Sequence, residues 1–122
     1  MTQKKIIIAD DNKEAISFLA ETIKKFDEKI QVENVENGEN LIAKVGNNNY
    51  DLIFTDNDMG EGIYGIEAIK RIRGFNRTVP IYMISADSWA KEIALSNGAN
   101  GFILKNPIRE QILEILVEQF GN

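Results

Sequence analysis

The sequence predicts a doubly wound α/β domain, five parallel strands alternating with five helices, on three observations. Short apolar runs recur five times along the chain. Four of them are nearly continuous in apolar character, as strands buried on both faces require, and amphipathic segments with helical spacing separate them. The length of 122 residues suits one compact domain covering 1–122. A hydrophobic share of 43% is enough for a core, and a charged share of 27% suits an ordinary soluble surface.

Ile6-Ile7-Ile8-Ala9 is the first strand, and Ile16, Leu19, Ala20, Ile23 and Phe26 then fall on one face of the first helix. The second run, Ile30 to Val35, is weaker; Gln31-Val32-Glu33-Asn34-Val35 alternates and suits an edge strand. Leu41, Ile42 and Val45 mark the second helix, closed by Gly46 and the Asn47-Asn48-Asn49 loop. Leu52-Ile53-Phe54 is the third strand; Ile66, Ile69 and Ile72 mark the third helix, stopped by Gly74. The fourth strand is Ile81-Tyr82-Met83-Ile84, and a short helix with Ile93 and Ala94 ends at Asn97-Gly98. Phe102-Ile103-Leu104 is the fifth strand, before a last helix carrying Ile108, Ile112, Ile115, Leu116 and Phe120. No repeat, linker or low-complexity tract interrupts the rhythm. Right-handed crossovers place helices on both faces of the sheet. The flavodoxin-like strand order 2-1-3-4-5 is the expected arrangement, with a ligand crevice at the carboxyl ends of strands one and three.

Two absences restrict the chemistry. There is no cysteine, hence no disulfide, thiol nucleophile or thiolate metal site. There is no histidine either, which removes the commonest general base and transition-metal ligand. A metal would have to be held by oxygen, which points to a hard cation such as Mg²⁺. The chain cannot be a phosphohistidine carrier; if it receives a phosphoryl group, a carboxylate must take it. The formal net charge of -5 argues against nonspecific binding to nucleic acid or anionic membranes. No apolar run approaches a membrane span, and Met1-Thr2-Gln3-Lys4-Lys5 leads straight into a strand rather than a secretory signal, so the cytoplasm is the expected compartment.

The residues that follow the apolar runs carry the chemistry. Strand one ends in Asp10-Asp11, strand three in Asp56 with Asp58 two further on, strand four in Ser85 and strand five in Lys105. In a parallel sheet these ends share one edge. Each residue taken singly also fits a structural role: Asp10 or Asp11 capping the first helix, Ser85 or Asp87 capping the fourth, Lys105 as a solvated surface lysine. Together, three crowded carboxylates repel and need a compensating cation. One lysine cannot neutralise them all, whereas a bound Mg²⁺ can.

This ordered set, an acidic pair after strand one, then Asp, Ser and Lys ending strands three, four and five, resembles the receiver domain of bacterial response regulators over essentially the whole chain. The resemblance implies Asp56 as phosphoacceptor and Asp10 and Asp11 as holders of Mg²⁺, directly or through water. It also implies the backbone carbonyl of Asp58 as a metal ligand. Lys105 and the metal would screen the incoming phosphoryl oxygens, and an aspartyl phosphate is a recognised covalent product of such chemistry. Ser85 would reach a phosphoryl oxygen once the group is present, and Phe102 would turn inward as the readout. In the alternative reading Phe102 simply fills the edge of strand five. Trp89 and Ile93 would complete a partner face on the fourth helix.

The partners so implied are a histidine kinase or phosphotransfer protein upstream and a target protein on the face formed by the fourth helix, fifth strand and fifth helix. That face could also serve a phosphorylation-dependent homodimer. With no output domain in these residues, the effect would be exerted by contact with another protein, in two-component or phosphorelay signalling. The chain would catalyse only its own phosphorylation and dephosphorylation.

Three features depart from the family pattern. In Asp56-Asn57-Asp58-Met59-Gly60-Glu61-Gly62-Ile63-Tyr64-Gly65, Gly60 stands where the family usually has proline, and two extra residues precede the glycine that opens the third helix. Asn106 separates Lys105 from Pro107, so any cis bond is expected at Asn106-Pro107. Asp58 and Asp87 add acid where the family sets the rate at which water removes the phosphoryl group.

Two rival functions share these residues. Asp56-Asn57-Asp58 also looks like the DxD motif of haloacid-dehalogenase-type phosphotransferases, although here the acidic pair comes first and no cap segment encloses a substrate. A pseudo-receiver would keep the fold as a binding module without being phosphorylated.

Overall fold

The computed structural model describes residues 3–121. Its elements run β1 (Lys5–Ala9), α1 (Lys13–Phe26), β2 (Gln31–Val35), α2 (Gly38–Asn47), β3 (Leu52–Thr55), α3 (Gly65–Arg73), β4 (Ile81–Ser85), α4 (Ala90–Ser96), β5 (Gly101–Leu104) and α5 (Arg109–Phe120). All strand pairs are parallel and the order is β2-β1-β3-β4-β5, as expected.

Alternation along each strand builds two cores. Ile6 and Ile8 of β1 face one side with Leu52, Phe54 and Ile84, covered by Leu19 and Ile23 of α1 and Ile112 and Leu116 of α5. Ile7 and Ala9 face the other side with Ile53, Ile81 and Met83, covered by Leu41 of α2, Ile69 and Ile72 of α3 and Ala94 of α4. That period of two explains why the central strands read as unbroken apolar runs. Each fully buried Ile or Leu contributes about 1.5–3 kcal/mol relative to exposure. β2 is one edge of the sheet, with only Val35 of its five residues buried.

Two local expectations fail, for Gly46 and Ile108, and that for Gly74 holds with a difference. Gly46 does not close α2; it lies inside the helix, which runs one residue further with Asn48 as its C-cap. A Cβ on Gly46 would meet only the Phe75 ring, at 3.8 Å. Gly74 does end α3, but in right-handed conformation (φ -67) rather than as a left-handed cap. Ile108 lies before α5 and is 60% exposed. Its backbone N–H donates to the Gln111 side chain, so the position serves as the helix start and not as part of the apolar face.

Candidate functional site

Strand register brings the predicted residues together. Ala9 pairs with Thr55, and Asp56 N–H donates to the Ala9 carbonyl at 2.8 Å, so Asp10 and Asp56 leave adjacent strands side by side. Ser85 pairs with Leu104, and Lys105 N–H donates to the Ser85 carbonyl at 2.9 Å. Lys105 therefore emerges two strands away from β3 and reaches back across β4.

Its ammonium lies 2.8 Å from Asp56 Oδ2 and 3.2 Å from Asp10 Oδ2. Asp10 and Asp56 are both buried and Asp11 is exposed. One carboxylate oxygen from each of Asp10, Asp11 and Asp56 lies within 4.8 Å of the others. Three carboxylates against one ammonium leave two formal negative charges in this space. Hard oxygen donors with that residual charge fit a divalent cation such as Mg²⁺, and the exposed Asp11 leaves the cluster open to solvent.

The pKa shifts follow from the same crowding. Burial pushes Asp56 above the usual carboxylate range; the Lys105 hydrogen bond opposes this, and the Asp10 charge adds to it. Burial alone would lower Lys105, but its hydrogen bond to Asp56 and the charges of Asp56 and Asp10 outweigh that and raise it.

Neither aspartate of the first pair caps α1. Asn12 does so, accepting from Ala15 N–H at 2.9 Å, while Asp10 Oδ1 accepts from Asn12 N–H at 2.9 Å. Ser85 and Asp87 do not cap α4 either; Ser85 Oγ, buried, accepts from Asp87 N–H at 3.0 Å. The hydroxyl proton stays available to another acceptor. Asp58 is exposed, and its carboxylate accepts from Gly60 N–H at 3.1 Å, outside the trio of clustered carboxylates.

Phe102 is half-buried and packs against the core beneath α2, α3 and α4. It pairs with Met83, two residues before Ser85, so Phe102 and Ser85 share one face of the sheet. Trp89 (60% exposed), just before α4, Ile93 of α4, Leu104 of β5 and Ile108, just before α5, are all exposed apolar residues. The cis peptide falls at Lys105–Asn106, not at Asn106–Pro107 as expected. Beside Lys105 a cavity of about 460 Å³ is lined by Asp10, Phe18, Ile84 and Pro107 among others.

Sequence reasoning missed the groups that seat Asp56. Thr55 Oγ1 donates to the Asp56 carbonyl at 2.8 Å, and Asn57 accepts twice, through its carbonyl from Gly65 N–H (2.7 Å) and through Oδ1 from Ile66 N–H (3.1 Å). Gly65 sits so close that a Cβ there would lie 2.1 Å from the Asp56 carbonyl oxygen. The glycine opening the third helix was the one signal of this approach available in the sequence.

A family model described as the response regulator receiver domain matches residues 6–117. Over 112 residues the chain is 35% identical to the autoinducer 2 sensor kinase/phosphatase LuxQ of Vibrio vulnificus (strain YJ016), covering 89% of this chain and 13% of that protein. The chain thus spans a small part of that curated relative's length. It is 32% identical over 93 residues to the two-component response regulator ORR41 of Oryza sativa subsp. japonica, covering 73% of this chain and 72% of the relative. The co-crystal structure of the Saccharomyces cerevisiae histidine phosphotransfer signaling protein Ypd1 and the receiver domain of its downstream response regulator Ssk1 contains a chain that aligns with a TM-score of 0.85 and 24% identity. The alignment covers 96% of this chain and 88% of that one, a likeness of fold.

Proposed function

The chain belongs to the response regulator receiver domain family, and from that premise we propose that Asp56 accepts a phosphoryl group from a histidine kinase or phosphotransfer protein in a Mg²⁺-dependent reaction. Receiver domains are signalling modules of two-component systems rather than classical enzymes. The observation that carries the reading is the clustering of Asp10, Asp11 and Asp56 beside the Lys105 ammonium.

The Asp10, Asp11 and Asp56 carboxylates and the Asp58 carbonyl would hold Mg²⁺, which when bound supplies the positive charge that makes an anionic phosphoryl group tolerable here. Asp56 is the nucleophile: a bond forms between one carboxylate oxygen and phosphorus as the bond from phosphorus to the donor's leaving group breaks. Lys105 pairs with a phosphoryl oxygen as charge spreads over the transferring group. Ser85 then donates its hydroxyl proton to another phosphoryl oxygen, drawing the segment after β4 toward Asp56. Phe102, on the same face of the sheet as Ser85, follows into the space vacated. That movement changes the α4–β5–α5 surface on which Trp89, Ile93, Leu104 and Ile108 are exposed, where a target protein or a second copy of the chain docks.

The pairing of a receiver with a phosphotransfer protein in the Ypd1–Ssk1 structure supports a donor of that type. Among the described residues no helix is long and apolar enough to cross a membrane, and we place the reaction in the cytoplasm. Residues 1–122 act as one receiver domain in this account. The haloacid-dehalogenase reading needs the Asp58 carboxyl as general acid, but that group is exposed and accepts from Gly60 N–H.

Incubation with acetyl phosphate and Mg²⁺, read by intact mass, tests the reading. One phosphoryl group should be added, and excess chelator should prevent it. Unchanged mass with Mg²⁺ present would count against a phosphorylated receiver and favour a pseudo-receiver.

A further inference from the structure

The loop between β3 and α3 carries the two residues in excess of the family pattern, and it is held at both ends and in the middle. At its neck, Asn57 binds Gly65 and Ile66, which keeps Asp56 in place whatever the loop beyond does. Further out, Gly60 (φ 83) lies beside the acidic cluster, where an added Cβ would stand 3.6 Å from Asp11 Oδ2. The remaining stretch is fastened to α2, and Ile63 also packs against the core. Glu39 Oε2 accepts from Ile63 N–H at 3.1 Å, and a Cβ on Gly62 (φ 101) would lie 2.5 Å from Glu39 Oε1. Gly38 adjoins the same spot, since a Cβ there would meet Ile63 Cγ1 at 2.6 Å.

Two glycines in left-handed conformation give this loop more freedom in the absence of a fastening than other residues would. A segment that must be ordered to offer the Asp58 carbonyl binds its ligand more weakly unless it is ordered beforehand. The geometry points to Glu39 as a positioning residue for the cation site: by fastening Ile63 it holds the β3–α3 loop against the acidic cluster and so sets the affinity for Mg²⁺. This rests on the receiver reading above. Glu39 itself lies outside the trio of clustered carboxylates.

The test is calorimetric titration of Mg²⁺ into the wild-type protein, Glu39→Ala and Glu39→Gln, with amide hydrogen exchange of the loop measured without metal. Glu39→Ala should raise the Mg²⁺ Kd about fivefold, the scale of one hydrogen bond, and the Ile63 amide should exchange faster. Glu39→Gln keeps an acceptor for Ile63 N–H and should stay within about twofold of wild type. An unchanged Kd in Glu39→Ala, with the wild type binding normally, overturns the role of Glu39 and leaves the receiver reading standing. If Glu39→Gln is as weak as Glu39→Ala, the carboxylate acts by charge and the fastening is refuted. Absence of Mg²⁺ binding by the wild type overturns both.

Discussion

The Lys105 ammonium donates to Asp56 Oδ2 at 2.8 Å while also pairing with Asp10 at 3.2 Å. One cation thus links the ends of β1, β3 and β5 before any phosphoryl group arrives. Removing it leaves Asp56 buried beside Asp10 with no positive partner among the described residues. Lys105→Ala should still be labelled by acetyl phosphate, but about a hundredfold more slowly, the lower range for losing one preorganised electrostatic contact. A time course of intact mass measures this; an unaltered rate would remove Lys105 from the transfer step.

The Asp56 shift has a defined sign in stability. Burial, aided by Asp10, raises its folded pKa against the opposing Lys105 bond, so the fold favours the protonated carboxyl. Its contribution is full below the ordinary carboxylate pKa and is lost as pH rises through the raised folded value. Asp56→Asn, which cannot ionise, should therefore melt higher than wild type at pH 7 without Mg²⁺. The gap should close in acid, and Mg²⁺ should stabilise the wild type more than the variant. Thermal melts at two pH values decide it.

Gly65 has backbone on the side where a Cβ would go, 2.1 Å from the Asp56 carbonyl oxygen and 3.0 Å from Asn57 Cα. Relief requires the start of α3 and Asp56 to separate. Gly65→Ala should lose about 3 kcal/mol in urea unfolding, the upper range for overpacking. A loss below about 0.5 kcal/mol, within the usual range for a surface change, would mean that the neck yields easily.

Trp89 is the chain's one tryptophan, and it stands 60% exposed just before α4. If Ser85 is drawn to the phosphoryl group, Trp89 fluorescence should change on labelling of the wild type. Ser85→Ala should be labelled to a similar extent but show little of that change. A full change in Ser85→Ala would place the switch elsewhere.

The fold was legible because burial on both faces leaves a mark in sequence: Ile6 to Ala9 and Ile81 to Ile84 admit no polar residue, and the helices between them keep one apolar face. The gathering of Asp10, Asp56, Ser85 and Lys105 was legible for the same reason, since parallel strands end on one edge. Backbone detail was not. Asn12 rather than Asp10 or Asp11 caps α1, because Asp10 is drawn to Lys105 and to the Asn12 amide. Asn57 and Glu39 leave no periodic signal; their roles depend on where the β3–α3 loop folds in space, which residue spacing does not encode. Ile108 has the right spacing for the α5 face, yet it precedes the helix and so points away from that face's core.

The most direct test of the central claim is the location of the added group after acetyl phosphate treatment with Mg²⁺. Peptide mass spectrometry should place a single phosphoryl group on the peptide containing Asp56, hydroxylamine should remove it as it does acyl phosphates, and Asp56→Asn should remain unlabelled. A hydroxylamine-resistant phosphoryl group, or label persisting in Asp56→Asn, would contradict the account.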